Sequence, residues 1–233
     1  MADISDNLLA LRVRIASACK TAGRAPDSVR LLAVSKNFDA DAIRQAISAG
    51  QREFGENYLQ EALEKIAQLP DASIQWHFIG PIQSNKTRSI AEHFNWVQSV
   101  DRLKIAQRLS EQRPAQLAPL NICIQVNISG EDTKSGCAPE QAEALCRAGA
   151  EVPGLRLRGL MAIPAPAKHS ADAHAAFRAL RELGEKIRRG PLGKNAEFDT
   201  LSMGMSDDYA AAIAEGSTMV RIGTGLFGSR LAR

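Results

Sequence analysis

No CxxC pair, no HxxxH or HxxH pair, no basic run longer than Arg188–Arg189 and no long apolar stretch occur in this chain. Each absence removes a class of function. The four cysteines, Cys19, Cys123, Cys137 and Cys146, are scattered, which fits reduced thiols used as small buried apolar residues and not a disulfide framework. The histidines His77, His93, His169 and His174 have no zinc-site spacing, so no metal is expected. The formal charge of +3 comes from interspersed residues and leaves no electrostatic footprint for nucleic acid. The opening MADISDNLLALRVRIASACK sets acids before its apolar positions and arginines among them, wrong for a secretory h-region or a membrane span. A cytoplasmic address and no membrane partner are the expectations. No low-complexity tract occurs, and the stretches EQRPAQLAPL and IPAPAKH are of loop length, so residues 1–233 read as one domain.

What is present is ordinary in composition, 45% hydrophobic and 24% charged over 233 residues, a size that α/β barrels reach as one domain. The segment from Ser5 to Ala22 carries Leu8, Leu11, Ile15 and Ala18 at a helical period and stops at Gly23. A strand-helix pattern then recurs. LLAVS precedes a helix that Asp39 can cap, and REFGEN, WHFIG and NWVQSV each precede another helical or polar stretch. NICIQVN, LRLRGLMAI, DTLSMG and TMVRIG complete eight units. Strands alternating with helices imply parallel pairing through right-handed crossovers, and eight units predict a closed (β/α)8 TIM barrel with an extra amino-terminal helix. An open doubly wound sheet is the alternative, since periodicity does not show whether strands one and eight meet.

Barrels of this kind carry their chemistry at the carboxyl ends of the strands. Lys36 ends LLAVS, Asn57 ends EFGEN, His77 lies in WHFIG, Asn127 ends the fifth strand, and Ser202 and Ser206 bracket the seventh strand's end; all are expected around one mouth. A lysine there either snorkels to solvent or sits desolvated, where a lowered pKa frees the amine to attack an aldehyde. A solvated surface lysine is the competing reading of Lys36. In TMVRIG, alternation sets Val220 and Ile222 on one face and Arg221 on the other, pointing Arg221 into the barrel. A buried guanidinium needs an acceptor, either an anionic ligand or an inward carboxylate. Directly after it, Gly223 and Thr224 stand where a helix can begin. Loops after strands seven and eight commonly hold phosphate in such barrels.

The motifs LLAVSK, FGENYLQEALEKI, WHFIGPIQSNK, KSG at 134–136, LRGLMAIP, LSMGMSDD and GSTMVRIGTGLFGSR together resemble the pyridoxal phosphate homeostasis proteins, the YggS or PROSC family. That resemblance implies a barrel like that of alanine racemase, of PLP fold type III, with pyridoxal 5'-phosphate as cofactor. It implies that Lys36 carries the Schiff base, that Arg221 faces the pyridine nitrogen, and that Ser202 or Ser206 with Gly223 and Thr224 holds the phosphate. Asn57 and His77 match positions near the cofactor ring. An arginine at the ring nitrogen keeps it unprotonated and makes the ring a poorer electron sink.

The racemases resembled take their second base, a tyrosine, from an added domain of a partner subunit. Ten residues after Gly223 this sequence ends, and neither Tyr58 nor Tyr209 matches that base. The expectation is therefore a monomeric carrier or buffer of the cofactor and not an enzyme, with PLP-dependent apoenzymes as recipients. The rivals are a PLP enzyme, such as a racemase or decarboxylase, and a barrel that binds a phosphometabolite without a Schiff base. Lys134, in the loop GEDTKSG, either holds a second cofactor or assists its transfer, or is a solvated loop lysine.

Overall fold

The computed structural model describes residues 3–131, 134–164, 170–190, 192 and 197–228, the side chains of 170–173 excepted. Most of the IPAPAKH loop, His169, and Arg230 of the last motif lie outside the described residues. Strands β1 (Arg30–Val34), β2 (Glu53–Glu56), β3 (Gln75–Phe78), β4 (Trp96–Val100), β5 (Leu120–Gln125), β6 (Leu155–Met161), β7 (Thr200–Ser202) and β8 (Met219–Ile222) pair in sequence order. All pairings are parallel, and β8 returns to β1 with Leu32 opposite Arg221, so the sheet closes as a barrel and the open-sheet alternative falls.

Helix α1 (Ile4–Thr21) precedes the barrel. The strands are followed in turn by α2 (Ala40–Ser48), α3 (Leu59–Gln68), α4 (Thr87–His93), α5 (Leu103–Glu111), α6 (Pro139–Ala150), α7 (Ser170–Arg189), α8 (Tyr209–Ala214) and α9 (Thr224–Phe227). The first two helices begin where acids can cap them: the Asp3 side chain accepts from the Ser5 N–H, and that of Asp39 from the Ala42 N–H, each at 2.9 Å. Helix α1 buries Leu8, Leu11, Ile15 and Cys19, one helical stripe. It packs on α2, α8 and α9, covering the seam where first and last units meet. No helix among the described residues is long and apolar enough to cross a membrane.

Every strand but β7, where Leu201 is half-buried, buries both faces. Ala33, Phe54, Phe78, Val97, Ile122, Leu160 and Val220 belong to the core packed under the helices. Leu32, Val34, Ile79 and Met219 form a separate inward cluster, as do Trp96, Cys123 and Met161. At the amino ends of the strands the Trp96 ring lies between two guanidinium groups, Arg30 at 4.8 Å and Arg158 at 4.7 Å, a cation–π stack that closes that end of the interior.

Barrel closure also needs one position without a side chain. Gly159 has a φ of +151° and pairs with Thr200, where an added Cβ would lie 1.8 Å from the Thr200 carbonyl oxygen. Gly159→Ala is expected to lower stability by about 3 kcal/mol, read from the urea midpoint; an unchanged midpoint would contradict this β6–β7 register.

Candidate functional site

Chemistry belongs at the carboxyl ends of barrel strands, and a cavity of about 240 Å³ opens there. Its polar lining comes from Lys36, Asn57, Ser206, Asp207, Arg221 and Thr224, with Gly223 beside them, and its apolar lining from Val34, Ile79, Ile163 and Met205. A larger hollow, about 390 Å³, lies at the opposite end among Arg12, Arg30, Arg52 and Glu53. Size does not decide between them. The larger one has no lysine in its lining, and its arginines already hold Gly50, Gln51, Ile47 and Thr200.

Lys36 is half-buried and sits in a turn just past the end of β1. The Phe38 N–H closes the turn onto the Ser35 carbonyl at 3.1 Å. Asn37, at φ +65°, takes the left-handed conformation that asparagine tolerates better than most residues. Behind the turn, Ser35 Oγ donates to Glu56 Oε1 at 2.6 Å, and Lys65 Nζ donates to the Ser35 carbonyl, Glu56 Oε1 and Glu61 Oε1.

Arg221 points inward and is 3% exposed. Its guanidinium donates to the Ser202 carbonyl and Ser202 Oγ, both at 2.7 Å, and to the Ala162 carbonyl at 2.8 Å. These acceptors are neutral, and none of the ion pairs among the described residues includes Arg221. The inward-carboxylate alternative is therefore not what the interior provides. Burial lowers the Arg221 pKa to about 10, which leaves it a cation at neutral pH. Such a cation, lining a cavity, suits an anion or a strong hydrogen-bond acceptor.

From Arg221 a polar chain runs down the barrel. Ser202 Oγ donates to Gln98 Oε1 at 2.6 Å, and Gln98 Nε2 meets His77 Nδ1 at 2.9 Å. His77 stacks on Trp96, and its Nε2 lies 3.6 Å from Glu53 Oε2. Burial holds the His77 imidazole well below its usual range, with Arg30 adding to the effect. The same burial raises the Glu53 carboxyl, opposed by Arg30 and Arg158.

On the other side of the cavity Thr224 Oγ1 donates to Ser206 Oγ at 3.2 Å. Thr224 opens α9, a single turn in which the Leu226 and Phe227 N–H groups donate to the Gly223 carbonyl at 3.0 and 2.9 Å. The loop carrying Ser206 is tied by Asp208, which accepts from the Met205 N–H at 2.6 Å. Asn57 Oδ1 is buried and has no hydrogen-bond partner among the described residues, an orphaned acceptor on a residue that lines the cavity. Its backbone packs against Gly80, where an added Cβ would lie 2.1 Å from the Asn57 carbonyl oxygen.

The structure thus brings together Lys36, Asn57, Ser206, Arg221, Gly223 and Thr224. Ser202 and His77 do not line the cavity; both are fully buried inside the barrel, engaged through Gln98. The expectation that all of them ring one mouth is corrected on this point. Strand alternation tells which face a residue takes but not its depth, which barrel stagger determines. Lys134 pairs with Glu131 at 3.6 Å and is not part of the cavity lining. Sequence reading missed Gln98, Lys65, Glu56 and Glu61. Gln98 breaks an apolar alternation two residues after Trp96, a signal available in the sequence, whereas Lys65 shares a helical face with Ala62 but reads there as a surface lysine. No group of three or more metal-ligating side chains occurs among the described residues.

The His77 shift fixes a pH dependence. A folded value below the ordinary 6.5 means that this contribution to stability is intact above pH 6.5 and is lost as pH falls. Below that point the unfolded chain takes up a proton that the folded chain refuses. His77→Gln is expected to make the loss of stability between pH 6.5 and about pH 5 shallower, by denaturant titration at several pH values. An unchanged slope would show that His77 titrates freely in the fold.

Comparison with known proteins agrees with this geometry. The family model for the alanine racemase N-terminal domain matches residues 7–231. A Pseudomonas aeruginosa protein named pyridoxal phosphate homeostasis protein is 63% identical over 230 residues, covering 99% of this chain and 97% of that protein. An Escherichia coli protein of the same name is 52% identical over 233 residues, covering 99% and 98%. The structure of PipY from Synechococcus elongatus with PLP bound superposes with a TM-score of 0.83 at 36% identity, covering 97% of this chain and 100% of that one. Alanine racemase from Corynebacterium glutamicum, at 18% identity and a TM-score of 0.67, shares the fold over 99% of this chain and 61% of its own. The chain belongs to the alanine racemase N-terminal domain family and, within it, to the pyridoxal phosphate homeostasis proteins.

Proposed function

We propose that this chain holds pyridoxal 5'-phosphate covalently and reversibly on Lys36 and acts as a carrier and buffer of that cofactor. One observation carries the reading: a lysine and a buried guanidinium without a carboxylate partner among the described residues line the same cavity. When bound, the cofactor supplies an aldehyde carbon that an amine attacks with loss of water, and water returned to that linkage releases it.

The polar lining residues other than Asp207 each have a use toward this ligand. Lys36 is the amine. Arg221 donates toward the pyridine nitrogen and, as a cation, keeps it unprotonated. Ser206, Thr224 and the backbone at Gly223 receive the phosphate, where the Ser206 and Thr224 hydroxyls meet. Asn57 offers its side chain to the ring, and its orphaned Oδ1 supports a ligand on that side. Ser202 and His77 serve from within: Ser202 holds the guanidinium, and His77 anchors the Gln98 that holds Ser202.

The same residues argue against turnover. An unprotonated ring nitrogen withdraws electrons poorly. Racemisation also needs a second base opposite the lysine, and no tyrosine lines the cavity: Tyr58 is 55% exposed at the start of α3, and Tyr209 opens α8. In this reading the protein is monomeric and cytoplasmic, and PLP-dependent apoenzymes are the recipients.

Borohydride reduction of the protein mixed with pyridoxal 5'-phosphate, followed by peptide mass spectrometry, is expected to place the adduct on the peptide containing Lys36. Lys36→Ala is expected to abolish it. An adduct only on other lysines, or racemisation of single amino acids at enzyme-like rates, would overturn the reading.

A further inference from the structure

Helix α3 buries Lys65, which is 4% exposed. An ammonium has three protons to donate, and all three are used here: on the Ser35 carbonyl at 2.7 Å, Glu56 Oε1 at 2.8 Å and Glu61 Oε1 at 2.6 Å. Glu56 is fully buried, facing outward from β2 toward that helix. Replacing a buried ion pair with apolar side chains is often neutral or stabilising, so stability alone gives this cluster little reason to exist.

Its contacts suggest another reason. The cluster grips the chain on both sides of Lys36. Before it, the Ser35 carbonyl receives Lys65, and Ser35 Oγ donates to Glu56. After it, the Asn37 N–H donates to Glu61 Oε1 at 2.5 Å, and that residue is the one non-glycine of positive φ among the described residues. Left-handed backbone is disfavoured for most residues and persists where its surroundings enforce it. The turn after β1 is thus held from outside the barrel wall, through backbone atoms, while the Lys36 side chain lies on the cavity side.

We propose that Lys65, clamped by Glu56 and Glu61, is a positioning residue that holds the Ser35–Phe38 turn so that Lys36 is presented to the cofactor aldehyde. This rests on the reading of Lys36 as the attacking amine and adds a second lysine, one that never touches the cofactor. Lys65 orders the Ser35 carbonyl directly and the Asn37 amide through Glu61. Loss of Lys65 leaves Glu56 and Glu61 without their shared cation, so both ends of the turn loosen together.

Lys65→Met keeps the length and apolar stem of the side chain. Three readouts are compared with the wild-type chain: amide exchange at Asn37 without ligand, the pyridoxal 5'-phosphate titration with the pH midpoint of its visible absorbance change, and the share of borohydride adduct on Lys36. With a melting curve still cooperative, Lys65→Met is expected to speed Asn37 exchange, to weaken covalent binding about tenfold and to shift the pH midpoint. Wild-type values for binding, midpoint and adduct share would overturn the proposal. Should Lys65→Met fail to fold, Glu61→Ala decides by the same readouts, since Glu61 is partly exposed and its removal leaves the Lys65–Glu56 pair in place. A wild-type chain that carries no adduct on Lys36 sinks the carrier reading and this inference with it. Equal adducts on the wild-type and variant chains sink the positioning role alone.

Discussion

Closure of eight parallel strands removes water from everything that points inward, so a polar side chain placed there must find its partners within the wall. This constraint organises the interior. Arg221, which lines the cavity, is met by carbonyls and a serine hydroxyl and, among the described residues, not by a carboxylate. Ser202 can serve it because Gln98 accepts the serine proton, and Gln98 is oriented in turn by His77. The chain ends where Glu53, Arg30 and Arg158 close the interior around Trp96. A guanidinium neutralised in place would have no charge left for a ligand; held by neutral acceptors, this one keeps it.

A second polar group works from outside the wall. Glu56 and Lys65 face each other between β2 and α3, and their contacts reach the backbone beside Lys36. The two assemblies use opposite faces of neighbouring strands and converge on one cavity, one through the side chain opposite the amine and the other through the turn that bears it. Both sets of buried polar groups stand beside the cavity that Lys36 and Arg221 line.

Much of this was legible in the sequence. Eight repeats of a short apolar run and a helix yield the barrel because period and order are local properties. Lys36 at a strand end and Arg221 in an alternating strand were readable for the same reason, as was the Asp39 cap. Depth was not readable. His77 and Ser202 face inward as alternation requires, yet they sit within the barrel because stagger between strands sets height, and stagger is not local. Lys65 was obscured further, since a lysine on a short helix reads as a surface residue until the helix is known to cover Glu56. Arg221 showed the remaining limit: alternation pointed it inward, but which acceptors met it depended on strands far away in sequence.

The central claim concerns one covalent bond and its place. A crystal structure of the chain grown with pyridoxal 5'-phosphate tests it most directly. The account predicts continuous density from Lys36 Nζ to the cofactor, with Arg221 beside the ring nitrogen and the phosphate between Ser206 and Thr224. Density for the cofactor on another lysine, or in this cavity with Lys36 turned away from it, would contradict the account.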